Sequence, residues 1–279
     1  MMTTQCIPGT GMEIVREVER GRFKYGLFDF DGTVSLLREG WQQVMGPLMA
    51  EMICGGGTPT PEINQAVADY IDESTGINTI LQMEHLVKMV REHGLVPEDK
   101  ILDAHGYKKI YNDRLMERVK ERIADLQSGA LKPVDVTVKG SLDFVKALHE
   151  RGLQMYIFSG TDRDDVCNES GLVGAAQYFT EIWGALRTYA ESNKEMIIKK
   201  IIADHNLHGS EVLVVGDGPV EIRLAHEHDC VSIGVCSDEE RGFGWNEEKR
   251  QRLTKAGADI LIADFGEWAA LMEYLFPKQ

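Results

Sequence analysis

Two carboxylates, Asp29 and Asp31, stand one residue apart at the end of an apolar run, Phe23 to Phe28, with Gly32 and Thr33 directly behind them. The run predicts a buried strand. Side chains in a strand alternate faces, so the two carboxylates share one. Like charges so placed repel unless a cation or a shared proton relieves them. A hard divalent ion such as Mg²⁺, which takes oxygen ligands and keeps several waters, suits the position. The segment Phe30-Asp-Gly-Thr-Val also fits a plain hairpin turn, and the rest of the chain must decide.

Three further places could join that chemistry. Ser159-Gly160 follows an apolar strand predicted at 153–158. A hydroxyl, a glycine amide and a helix N-terminus would together cradle an anion; a simple cap formed by Thr161 and Asp164 is the alternative. Ser192 and Glu195 fit a capping box that puts Lys194 in the first turn of its helix. A cation there opposes the helix dipole. A phosphate held against the lysine explains the placement, and an exposed surface lysine is the other reading. Asp217 ends an apolar strand at 212–215, with Gly218 and then Pro219 at the first helical position, and is placed to complete a metal site with Asp29. Glu221 is either an ordinary first-turn acid or the holder of a metal-bound water. His226 and His228 fall on opposite helix faces and are assigned no metal. In open α/β sheets ligands sit beyond the carboxyl ends of the strands. One strand ending in a polar residue is unremarkable, whereas three converging ends make a site.

The elements that must position these residues follow from the periodicity. After Pro133, apolar strands at 153–158, 212–215, 231–235 and 260–263 alternate with helices at 141–150, 162–169, 194–205, 219–228, 246–256 and 268–276. That pattern predicts a parallel sheet covered on both faces. Residues 13–18 read as a short extra strand, and residues 1–12 carry no pattern. Between Arg38 and Pro133 the chain turns helical. Trp41, Val44, Met45, Leu48, Met49 and Met52 form an apolar stripe in which Pro47 predicts a kink or break. Residues 55–61 read as a loop, with helices at 77–93 and 107–127. The expected fold is α/β, a Rossmann-like parallel sheet (1–37 and 134–279) with an inserted all-helical domain (38–133).

Composition narrows the partners. A net charge of −15 over 279 residues argues against nucleic acid, which requires a basic footprint. A small phosphorylated substrate remains compatible if positive charge is concentrated locally. No apolar stretch reaches the ~20 residues of a membrane span, and the first residues lack the basic and apolar regions of a signal peptide. Five scattered cysteines form no CxxC pair, as expected for reduced thiols in the cytoplasm.

Taken in order, Asp29-Phe-Asp31-Gly-Thr33, Ser159, Lys194 and Gly216-Asp217-Gly218 resemble the motifs of the haloacid dehalogenase superfamily of phosphohydrolases. The helical insertion is similar to the C1-type cap of its phosphoglycolate phosphatase and β-phosphoglucomutase-like members. The resemblance implies that Asp29 attacks phosphorus to give an aspartyl-phosphate, and that Asp31 protonates the leaving oxygen and then activates water. It implies Mg²⁺ on Asp29, Asp217 and the backbone carbonyl of Asp31, with the phosphoryl group held by Gly32, Thr33, Ser159, Gly160 and Lys194. Many members carry Asp four residues after the last motif's Asp, where this chain has Glu221, so a water-bridged role is expected for it. The rest of the substrate would meet the cap. Arg38 could pair with an anionic or hydroxyl-rich leaving group, Trp41 could stack on a sugar face, and Thr79 and Gln82 form a second pair. The expected activity is hydrolysis of a small phosphorylated metabolite, with a sugar phosphate as one instance. The alternative is a phosphosugar mutase using the same residues, and a third reading is a non-catalytic phosphate-binding module. Asp31 argues against a dehalogenase, which has no leaving alkoxide to protonate.

Overall fold

The computed structural model describes residues 5–7, 10–186 and 194–277. Its centre is an eight-stranded sheet. In chain order the strands are β1 (Gln5–Cys6), β2 (Glu13–Ile14), β3 (Tyr25–Phe28), β4 (Gln154–Asp162), β5 (Glu181–Ala185), β6 (Val212–Gly216), β7 (Val231–Val235) and β8 (Ile260–Ile262). The spatial order is β1-β2-β8-β7-β6-β3-β4-β5. Six strands from β8 to β5 run parallel, and β2 and β1 add antiparallel at the edge. This is the expected α/β fold. The strand carrying the paired carboxylates lies between β4 and β6, which lead to Ser159 and Asp217. Neighbouring strands lie about 4.8 Å apart, so the three chain segments have to meet.

Period-two alternation divides the sheet's two faces. Phe28, Met155, Ile157, Leu213 and Val215 pack with α5 (Ser141–Glu150) and α10 (Trp268–Leu275). Leu27, Tyr156, Phe158, Val212 and Val214 pack instead with α7 (Lys194–Asp204) and α8 (Pro219–Glu227). Helices α6 (Arg163–Leu172) and α9 (Glu247–Ala256) complete the covering. Asp29 lies two residues beyond Leu27 and continues on the α7 face, where Lys194 begins its helix.

Between β3 and β4 the chain builds α1 (Trp41–Ile53), α2 (Pro61–Ser74), α3 (Thr79–His93) and α4 (Ala104–Ser128). These helices share a core of their own, in which Met45, Leu48, Ile53, Val67, Leu86, Val90, Tyr111 and Val119 are buried. Arg122 of α4 ties them to the segment leaving β3 by donating to the carbonyls of Leu37 (2.9 Å) and Glu39 (2.8 Å).

The structure corrects the sequence reading in several places. Helix α1 runs unbroken through Pro47; a proline removes one backbone hydrogen bond, and the fully buried Met45, Leu48 and Met49 around it hold the helix. Residues 61–74, not assigned as helix, form α2. Thr60 caps it, Pro61 takes the first position, and Ile63, Val67 and Ile71 point inward. Gln5–Cys6 pairs with Glu13–Ile14 despite its lack of pattern. Strand β4 does not stop at Phe158 but continues to Asp162 with a register shift, so Ser159-Gly160 lies within the strand, three residues before the start of α6. Ser192 lies outside the described residues.

Phe144 is fully buried, with ring centroids 6.2 Å from Phe28 and 5.1 Å from Phe265. Phe144→Ala should lower stability by about 3–5 kcal/mol, measured by urea unfolding. A loss below ~1 kcal/mol would show that the sheet–α5 layer closes over the gap.

Candidate active site

Asp29 begins where β3 ends, its N–H donating to the Val215 carbonyl at 2.9 Å. Its side chain is buried, and its Oδ1 lies 3.0 Å from Lys194 Nζ. The same ammonium lies 3.0 Å from Glu221 Oε2, and Glu221 Oε1 accepts from the Gly218 N–H at 2.8 Å. Burial alone would lower the pKa of Lys194, but Asp29 and Glu221 together push it above the ordinary lysine value. Burial holds Asp29 well above the usual carboxylate range; Lys194 opposes this, and Glu221, Asp217 and Asp31 reinforce it.

Asp31 is fixed by Thr161, whose Oγ1 donates to its Oδ2 at 2.7 Å. Thr161 therefore serves Asp31 instead of capping α6. Oδ1 of Asp31 is buried with no hydrogen-bond partner among the described residues. Burial also raises the pKa of Asp31, against the nearby charge of Arg38 and the Thr161 bond. Asp31 is thus a carboxyl group suited to carrying a proton, with one oxygen uncommitted. Ser159 Oγ accepts from the Thr161 N–H at 3.1 Å and can still donate its own proton. The N–H of Gly32 is taken by the Ser35 carbonyl at 2.9 Å, and that of Thr33 by Phe30 at 3.4 Å. Thr33 Oγ1 donates to Asp217 Oδ1 at 3.2 Å. In this structure, therefore, Gly32 and Thr33 shape the loop and hold Asp217, and their amides are already engaged.

One oxygen each from Asp29, Asp217 and Glu221 lies within 4.8 Å of the others. All three residues are buried. At such spacing unit charges interact by about 4 kcal/mol at an effective dielectric of 20, so a buried all-oxygen cluster needs a cation. Lys194 supplies one charge. A hard divalent ion fits the remaining donor set.

The four-helix insertion closes over this cluster. Its 75–78 loop reaches the core so closely that a Cβ on Gly160 would lie 2.3 Å from the Ile77 carbonyl oxygen, and one on Gly76 2.4 Å from Glu221 Oε2. Ion pairs join the halves on either side, Lys108 to Asp162 and Arg252 to Asp72. What remains is a cavity of about 70 Å³ lined by Asp29, Asp31, Ser159, Gly160 and Asp217 from the core, and by Trp41, Thr79, Gln82, Tyr111 and Leu115 from the helices. Gln82 Nε2 donates to Ser74 Oγ at 3.1 Å. A much larger cleft of about 1300 Å³ between α1, α2 and α9 includes none of Asp29, Asp31, Ser159 and Lys194.

Arg38 also lines the small cavity, but it is buried and bonded to core helix α6. Its Nε and Nη2 donate to Glu169 at 2.6–3.1 Å, and Nη2 donates to Asp165 at 2.8 Å. Burial raises the pKa of Glu169 to about 7, with Arg38 pulling it down. Removing Arg38 would strand Glu169 without its partner, a loss that typically costs 3–5 kcal/mol.

Sequence reasoning missed Thr161, Tyr111, Glu169 and Lys249. Lys249 had a usable signal, for it sits in the first turn of α9 just after Glu247 and Glu248, where a lysine is as unfavourable as at Lys194. Its Nζ lies 2.7 Å from both Asp217 Oδ2 and Glu239 Oε1.

The family model described as haloacid dehalogenase-like hydrolase matches residues 27–235, and the chain belongs to that family. Among solved structures it is similar to a predicted phosphatase from Clostridium acetobutylicum (17% identity, 90% of this chain and 99% of that one, TM-score 0.57). It is also similar to a predicted phosphoglycolate phosphatase from Haemophilus somnus (15%, 90% and 98%, TM-score 0.58). A β-phosphoglucomutase from Clostridium difficile matches at 13% identity over 90% and 96% of the two chains, with TM-score 0.55. At these identities the likeness is one of fold. No curated protein matches the chain. Among the described residues no helix is long and apolar enough to cross a membrane.

Gly160→Ala should keep the helices from seating on the core while leaving both halves folded. Small-angle scattering should show a larger radius of gyration than wild type, with far-UV circular dichroism unchanged. An unchanged radius would mean that the 75–78 loop yields instead.

Proposed function

We propose that the chain is a Mg²⁺-dependent phosphomonoesterase acting on a small phosphorylated metabolite, with a sugar phosphate as one instance. The observation that carries this reading is Asp29 held by Lys194 at 3.0 Å within an oxygen cluster that fits a divalent ion. A carboxylate becomes a phosphoryl acceptor when the charge on the transferring group is neutralised. Asp29, Asp217 and the backbone carbonyl of Asp31 would hold Mg²⁺, with Glu221 beside them, and the ion would supply charge neutralisation at the phosphoryl oxygens.

In this reading an Asp29 oxygen attacks phosphorus and the bond to the leaving oxygen breaks. Lys194 and the Ser159 hydroxyl hold the phosphoryl oxygens. Asp31, protonated at first, gives its proton to the leaving oxygen through the uncommitted Oδ1. As a carboxylate it then takes a proton from the water that hydrolyses the aspartyl-phosphate, which restores both carboxyl groups.

Residues 38–133 act as the cap that selects the substrate. Trp41, Thr79, Gln82 and Tyr111 offer aromatic surface and neutral polar groups, which suit a hydroxylated leaving group. Arg38 is matched by Glu169 and Asp165 and brings little net positive charge, which counts against recognition of a strongly anionic one.

Screening phosphorylated metabolites for phosphate release, with and without Mg²⁺, tests the reading. Sugar-phosphate interconversion without phosphate release would point to a mutase. Absence of turnover on every substrate, including p-nitrophenyl phosphate, would leave a binding module. Asp29→Asn should abolish turnover with the melting temperature unchanged; retained activity in a folded variant removes Asp29 as nucleophile. Asp31→Asn should cost ~10²–10⁴-fold with poor leaving groups and far less with p-nitrophenol. A uniform loss across a leaving-group series contradicts its role as general acid.

A further inference from the structure

Lys249 is the third residue of α9, its N–H bonded to the cap residue Asn246 at 3.0 Å. A first-turn cation faces the positive end of the helix dipole, and this residue is only 6% exposed. A buried ammonium needs paired and hydrogen-bonded partners. Lys249 has two, Asp217 Oδ2 and Glu239 Oε1, each at 2.7 Å. It reaches neither Asp29 nor Asp31, and it lines the large outer cleft instead of the small cavity.

Asp217 is thereby gripped from two sides. Lys249 takes Oδ2, and among the described residues Oδ1 meets only the Thr33 hydroxyl, at 3.2 Å. Its backbone carbonyl also accepts from Arg252 Nη2 at 3.4 Å. We propose that Lys249, itself anchored by Glu239, is a positioning residue: it fixes the rotamer of Asp217 and leaves one oxygen directed at the divalent ion. The two buried lysines then have separate tasks, Lys194 beside the attacking carboxylate and Lys249 behind the metal ligand. The inference rests on the metal-dependent reading given above.

Charge and orientation make opposite predictions. Deleting a cation next to the site should tighten Mg²⁺ binding by electrostatics alone, whereas freeing Asp217 should weaken it. The double variant Lys249→Met/Glu239→Gln removes one charge of each sign and isolates orientation. Calorimetric titration with Mg²⁺ alone should show binding weakened by ~10–100-fold, the usual cost of losing a partner behind a metal ligand. Activity on p-nitrophenyl phosphate should return as Mg²⁺ is raised, so the half-saturating concentration shifts more than kcat. Lys249→Arg, which keeps the charge and a donor, should recover part of the affinity. If the double variant fails to fold, Lys249→Arg, which keeps the charge and alters only the geometry, carries the test and is expected to weaken Mg²⁺ by severalfold. Mg²⁺ affinity unchanged or tighter in the folded variants overturns the proposal and leaves the metal-dependent reading standing. A wild-type protein that binds no divalent ion overturns both.

Discussion

Buried carboxylates crowded at the end of a parallel sheet set the terms for the rest of this structure. Asp29, Asp217 and Glu221 are buried together where β3 and β6 end and α8 begins, with the half-buried Asp31 beside them. Such a cluster is unstable without positive charge. The chain answers with two lysines, each placed in the first helical turn where a lysine is otherwise disfavoured. Removing either lysine would leave buried carboxylates without the cation they face, so charge balance and strand order are parts of one solution. The arrangement is still short of positive charge, a shortage that a divalent ion would relieve.

Closure of the helical insertion completes the environment. Glycines at 76 and 160 let backbone approach backbone and side chain at distances no Cβ would allow. Because Asp29, Lys194, Asp217 and Glu221 are buried, each ionic contact among them is stronger than it would be in solvent. The ion pairs Lys108–Asp162 and Arg252–Asp72 lie at the margins of the closure, where solvent screens them and they can be broken and remade.

Much of this was legible in the sequence. The parallel sheet followed from apolar strands alternating with amphipathic helices, and the convergence of Asp29, Ser159 and Asp217 followed from the strands that carry them. The misses have local causes. Helix α2 was hidden by its Gly- and Pro-rich lead-in, although the Thr60-Pro61 start is itself a helix signal. Pro47 was overruled by the buried side chains around it. The end of β4 was misplaced because Ser159-Gly160-Thr161 looks like a turn, whereas Thr161 is held in extended chain by its bond to Asp31. The partner of Arg38 could not be read, since Glu169 is 131 residues away and no periodicity links the two. Lys249 is legible in the same way as Lys194, as a lysine in the first turn of its helix.

The place of β3 also bears on how the protein is made. This strand leaves the ribosome well before its neighbours β4 and β6, which begin at residues 154 and 212. This fully buried strand must therefore wait until at least β4 has been synthesised. Helices α1–α4, which emerge in the interval and share their own core, can assemble from contacts close in sequence, the kind that form fastest. The insertion can then be folded while the strand before it still waits for the neighbours that complete the sheet.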